Sequence, residues 1–175
     1  MNQTIKVLET RRSCRNFKCE QVKEADLKVI LEAGTYAATG MGKQSPIIIA
    51  VTDKVMRDKI MEENRKIGGW DEGFDPFYGA PCILIVLAKK DVITHVYDGS
   101  LVCGNLMNAA ESLGVDSIWI HRAKEEFESD FGKKMLKDLG IEDEYEGIGH
   151  IALGYAAEPL KAPAPRKSDY VYYIK

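Results

Sequence analysis

Two continuous apolar runs, Pro46-Ile47-Ile48-Ile49-Ala50-Val51 and Pro81 to Ala88, most limit what this chain can fold into. Both lack the alternating polar positions of a half-wet strand and are rich in β-branched residues, so each reads as a strand covered on both faces. Between them Met56, Ile60, Met61 and Ile67 recur at helical spacing, with Asp53 placed to cap the helix and Gly68-Gly69 to stop it. Strand, helix and strand within forty-odd residues imply a layered protein with helices packed on a sheet.

The same alternation extends along the chain. Ile5 and Leu8 suit a short opening helix; Leu27, Ile30, Leu31, Ala37 and Ala38 mark a second. Tyr97 to Leu113 carries the broadest apolar stripe, through Leu101, Val102, Leu106, Ala109, Ala110 and Leu113, and Gly114 supplies its stop. Val115 to His121 reads as a third strand, Glu125 to Leu139 as one amphipathic helix on Phe127, Phe131 and Met135, and Ile148 to Tyr155 as a fourth strand. Three prolines between Ala156 and Pro165 predict an extended connection, and Val171-Tyr172-Tyr173-Ile174 has strand propensity at the end of it. A strand reached over such a connection is suited to pairing with a neighbouring subunit. No repeat or compositional break divides residues 1–175, which read as one domain.

With 45% apolar and 29% charged residues the chain has an ordinary globular composition, and no segment approaches the ~20 apolar residues of a membrane helix. A cytoplasmic protein is the expectation. Cys14, Cys19, Cys82 and Cys103 form no CxxC pair, and buried thiols are expected at the last two; only Cys14, among arginines, invites a redox reading. His95, His121 and His150 are scattered without metal-ligand spacing, and the glycines make neither a Rossmann nor a Walker loop. The net charge of -3 argues against nucleic acid as partner. A chain in which no nucleophile, acid, base or metal motif stands out suits a protein whose cofactor carries the reactivity.

Against that acidic background Arg11-Arg12-Ser13-Cys14-Arg15-Asn16-Phe17 concentrates three guanidinium groups and a hydroxyl. Either it is a solvated basic turn after a helix, or it is the seat of a phosphorylated ligand, whose oxygens the guanidinium fork matches.

This heptapeptide resembles the RRSxRxF signature of the nitroreductase family of FMN-dependent oxidoreductases. The resemblance continues in order through Gly40 to Pro46, Phe77-Tyr78-Gly79-Ala80-Pro81, Gly114 to His121, and Gly154-Tyr155 through Pro163, Pro165, Arg166 and Lys167. It implies an α+β fold, a central mixed but mainly antiparallel sheet flanked by helices, with the C-terminal strand exchanged between subunits. It also implies a homodimer with FMN at the interface, NAD(P)H as transient donor and a small-molecule electron acceptor. Arg11, Arg12, Ser13, Arg166 and Lys167 would then serve the phosphate and ribityl end, and Arg15 would face flavin N1 and O2. His121 and Arg122 would present backbone to N5, Trp119 would lie beside the ring or simply in the core, and Asn64 would contact the pyrimidine edge. Ala38, Thr39, Gly40 and Gln44 would approach the flavin from the other subunit. Ser45-Pro46-Ile47 replaces the family's commoner proline-tryptophan pair, and the short aromatic segment Ile67 to Phe77, in place of longer insertions, is positioned to act as a lid. The implied activity is hydride transfer from NAD(P)H to a nitroaromatic, quinone or similar acceptor by ping-pong exchange. Reductive dehalogenation, enone reduction, flavin fragmentation and non-enzymatic flavin binding are the alternatives.

Overall fold

The computed structural model describes residues 2–175. In chain order it contains α1 (Gln3–Thr10), α2 (Glu24–Thr35), a 3₁₀ turn at Gly40–Gly42, β1 (Pro46–Val51), α3 (Lys54–Gly68), β2 (Cys82–Lys89) and α4 (His95–Ser112). β3 (Asp116–Ile120), α5 (Ala123–Glu128), α6 (Asp130–Asp138) and β4 (Tyr145–Gly154) follow. The four strands form one sheet in the order β1-β2-β4-β3, and every neighbouring pair is antiparallel. The flanked, mainly antiparallel sheet that the resemblance implies is present, and its four strands are antiparallel throughout. Among the described residues the one parallel contact is an isolated bridge between Ser13 and Ser117.

Helices cover both faces, which is why β2 reads as uninterrupted apolar sequence. Its residues Cys82, Leu84 and Val86 pack with Leu27, Ile30, Leu106 and Ile151 beneath α2 and α4. Alternate residues Ile83, Ile85 and Leu87 pack with Ile60, Phe77, Phe127 and Leu136 beneath α3, α5 and α6. Fully burying each such aliphatic chain contributes about 1.5–3 kcal/mol. β1, despite its similar composition, is an edge strand with Pro46 to Ala50 only partly covered. Composition cannot distinguish the two, because only the number of paired neighbours decides it.

Local signals explain most boundaries. The Asp53 carboxylate accepts from the Met56 N–H at 2.8 Å, capping α3, and Gly69 ends that helix in the left-handed region at φ 66°. In α1 the buried residue is Val7, while Ile5 and Leu8 face outward. The predicted helix over 125–139 is broken. Ser129 takes an extended conformation, donates its hydroxyl to the Glu126 carbonyl at 2.6 Å and accepts from the Gly132 N–H, so α5 ends and α6 begins there. Residues 171–174 form no strand in the single chain and are exposed.

Candidate cofactor site

The arginine turn is held by its own backbone. The Cys14 N–H donates to Ser117 O at 3.0 Å, and Phe17 N–H to Tyr78 O at 3.1 Å. Lys18 N–H donates to Tyr155 O at 2.8 Å and Ala157 N–H to Asn16 O at 2.9 Å. The turn is thus laced between the edge strand β3 and the chain leaving β4. A cleft of about 610 Å³ opens there, lined by Arg11 to Asn16 and by the proline-rich tail from Glu158 to Ala164, with Arg166.

Its charge is poorly satisfied from within. Arg12 Nη1 donates to the Glu9 and Arg11 carbonyls at 2.8 and 2.6 Å, but Arg12 Nε and Arg11 Nη1 are buried with no partner among the described residues. Buried donors without acceptors cost stability unless a ligand supplies acceptors, and a phosphate dianion suits two guanidinium groups beside a serine hydroxyl. Arg15 is exposed at the cleft, while Lys167 does not line it and lies over the Tyr170 ring at 5.5 Å. Cys14 is buried and donates to Asn16 O at 3.2 Å; burial pushes its thiol up, so the exposed, reactive thiol that a redox role needs is absent.

A second cleft of about 510 Å³ lies elsewhere, between α2 and β1, and contains Thr39 and Gln44 together with Ala37, Pro46 and Ile48. The loop beside it is shaped by backbone contacts. Gly40 N–H donates to Asp98 Oδ1 at 3.0 Å, the Thr39 hydroxyl accepts from Gln44 N–H at 3.1 Å, and Gln44 itself is left-handed at φ 49°. Ala38 stands exposed next to it. The arginine turn with Arg166 and the pair Thr39 and Gln44 therefore line two clefts that share no lining residue in one chain, while Asn64, Trp119, His121 and Arg122 line neither.

Other named residues gather at the end of β3. Trp119 is 42% exposed, with its ring 5.5 Å from that of His121. Arg122 is left-handed at φ 80°, and its N–H meets no backbone or side-chain acceptor among the described residues. Its guanidinium lies 4.3 Å from the Trp70 ring centroid. Asn64, assigned above to a ligand edge, is fully buried, and its amide donates to His121 O at 3.0 Å, so it braces the corner. The segment 67–77, expected above to act as a lid, is fastened at its far end. Phe77 is buried against His150, and Asp75 pairs with Arg57 while accepting from the Phe77 and Gly79 N–H groups. Arg57 and Asp75 belong to the framework that sequence reading missed; their separation in the chain hides the pair. Trp70 and Phe74, with ring centroids 5.0 Å apart, remain the outer part of the segment.

No cluster of three or more His, Cys, Asp or Glu that could hold a metal occurs among the described residues, and no helix there is long and apolar enough to cross a membrane.

Fold and cleft together define an α+β protein with an antiparallel sheet, helices on both faces and an arginine-lined cleft against an edge strand. Comparison with known proteins narrows this. The Nitroreductase family model matches residues 8–155. A provisionally named NADH dehydrogenase/NAD(P)H nitroreductase of Archaeoglobus fulgidus is 27% identical over 160 residues, covering 89% of this chain and 86% of the relative. The FMN-bound crystal structure of a Bacteroides fragilis nitroreductase superposes with a TM-score of 0.92 at 26% identity, covering 100% of both chains. That of a Desulfitobacterium hafniense nitroreductase, also with FMN, gives 0.90 at 29% identity with the same coverage. The chain belongs to the nitroreductase family.

Proposed function

We propose that this chain is an FMN-dependent oxidoreductase that passes hydride from NAD(P)H to a nitroaromatic, quinone or similar acceptor, working as a homodimer. The observation that carries the reading is the pair of buried, unpartnered donors Arg11 Nη1 and Arg12 Nε in a cleft shared with Ser13, Arg15 and Arg166. These atoms fit a terminal phosphate, and the FMN bound in the two similar structures is a ligand of that kind.

Bound FMN would supply the centre that accepts and delivers hydride. The chain's own residues hold and tune it. Arg11, Arg12 and Ser13 would anchor its phosphate, with Arg166 lining the same cleft from the tail. Arg15, exposed at the cleft, would place a fixed cation where reduction develops negative charge, at N1 and O2, and so favour the reduced state. The free Arg122 N–H would be the donor to flavin N5, and Trp119, exposed nearby on β3, would supply a ring edge beside it. Thr39, Gly40, Gln44 and Ala38 complete the site from the second subunit, in keeping with their separation from the arginine cleft within one chain. Two observations support a subunit partner: Tyr97 and Leu101 of α4 are exposed, and so are Tyr170 to Ile174 of the tail. Alignment of donor and acceptor over one ring needs no protein acid or base for hydride transfer itself.

An anaerobic titration tests this. The FMN-loaded protein bleaches on addition of NADH or NADPH and recovers colour with a nitroaromatic or quinone, and double-reciprocal plots give parallel lines. A flavin that neither nucleotide reduces overturns the reductase reading, and a chain indifferent to FMN overturns the site.

A further inference from the structure

Glu126 and His150 form an acid–base pair sealed inside the protein. Both side chains are fully buried, with Glu126 Oε2 3.3 Å from His150 Nε2. Neither carboxylate oxygen and neither ring nitrogen makes a well-aligned hydrogen bond to any described residue. The Phe77 ring stands edge-on to the imidazole at 5.3 Å. A buried pair with so little secondary support adds little stability over apolar side chains of the same size, so its contribution has to be sought in what it positions.

Its place in the fold identifies that target. His150 pairs across the sheet with Ile120, the last residue of β3, and Ile120 leads directly into His121 and Arg122. Four residues later Glu126, whose N–H donates to Arg122 O at 3.0 Å, returns to His150. The corner is therefore enclosed in a ring: strand pairing from β4 to β3, the turn itself, one helical hydrogen bond, and the Glu126–His150 contact. Two close approaches pack around the same ring, one from β4 and one from α6. A methyl group on Gly147 would overlap the Ala123 carbonyl, and one on Gly132 would overlap the Glu126 and Phe127 backbone. Arg122 is left-handed without being glycine, a conformation that persists only where its surroundings impose it.

We propose that Glu126 and His150 are positioning residues that lock the Arg122 corner and so aim its free N–H. The catalytic part of this rests on the flavin reading above; the structural part does not. The pair acts from the side of the sheet covered by α3, α5 and α6, sealed from the surface of the protein.

The test compares wild type with Glu126→Leu/His150→Leu, which removes both polar groups together and leaves no orphaned charge, and with Glu126→Gln, which keeps the shape but not the charge. Hydrogen–deuterium exchange on the FMN-free proteins is expected to show amides of residues 120–127 exchanging roughly tenfold or more faster, with β2 and α4 unchanged. In the FMN-loaded proteins the rate of flavin reduction by NADH is expected to fall by about tenfold to a hundredfold, as for a misplaced donor, with FMN affinity held within about threefold. Wild-type exchange at 120–127 in the folded double variant overturns the proposal, as does protection lost evenly over the whole sheet. If the double variant does not fold, Glu126→Gln is read by the same two outcomes. Failure to bind FMN overturns the flavin reading alone, since exchange is measured without it.

Discussion

At the scale of single residues, charge and burial decide what each group can do. Arg11 and Ser13 border the anion cleft, so Arg11→Ala or Ser13→Ala is expected to weaken FMN binding by about 1.5–3 kcal/mol, the worth of a charge-assisted hydrogen bond. Arg15→Ala is expected instead to lower the reduction potential of the bound flavin; equilibrium dialysis and a redox titration separate the two effects. Arg57 is a framework residue of the opposite kind. It donates from Nε to Ala80 O at 2.9 Å and pairs with Asp75, so Arg57→Met strands a half-covered carboxylate and is expected to cost about 3 kcal/mol in urea unfolding. The thiols give a pH dependence. Burial pushes Cys82 and Cys103 up to about 12 from the ordinary 9.0. Keeping them neutral therefore favours the folded state below pH about 9, and that advantage is lost as pH rises from there towards 12, where the unfolded chain ionises first. Denaturant midpoints over this range check the sign, and at neutral pH a thiol reagent is expected to modify exposed Cys19 rapidly and Cys82 and Cys103 only after unfolding. The arginine turn was legible as a cluster, whereas Glu126 with His150 and Arg57 with Asp75 were not, because each pair is made by folding and by no local pattern.

At the scale of elements, the short-range signals were reliable where they stood alone. Asp53 caps α3 as its position implied, and Asp53→Ala is expected to cost about 1 kcal/mol, measurable as a shift in the urea midpoint at constant slope. The helix read over 125–139 divides because Ser129 is a better N-cap than a helix interior residue, and because Gly132 allows α6 to turn back against α5. Gly132→Ala is accordingly expected to destabilise by about 1–3 kcal/mol, since backbone cannot move aside as a side chain can; a neutral result would show that α5 and α6 are less closely packed than described. The run Pro46 to Val51 was read as fully covered and is an edge strand. Its hydrophobicity matches that of β2, and only pairing on both sides of β2 separates them.

At the scale of the whole molecule, the chain leaves surfaces that one copy does not use. Tyr97 and Leu101 on α4 and the aromatic tail are exposed, and the arginine cleft and the cleft of Thr39 and Gln44 share no lining residue. If a second copy covers α4, Leu101→Lys is expected to shift the protein towards monomer in sedimentation and to weaken FMN binding by roughly tenfold or more, about 1.4 kcal/mol; a monomeric wild type that binds FMN fully would remove the subunit reading. The sequence by itself determined the alternation of helices and apolar strands, the helix stops, the basic turn and the family, because each rests on residues a few positions apart or on an ordered set of short motifs. Only the tertiary structure decided that the sheet is antiparallel with β1 and β3 at its edges, that Asn64 braces His121, that the arginine turn is laced to β3 and the tail, and that a buried acid and base close the ring around Arg122. Those features join segments tens of residues apart, and their energies depend on burial and alignment, quantities that no spacing along the chain encodes.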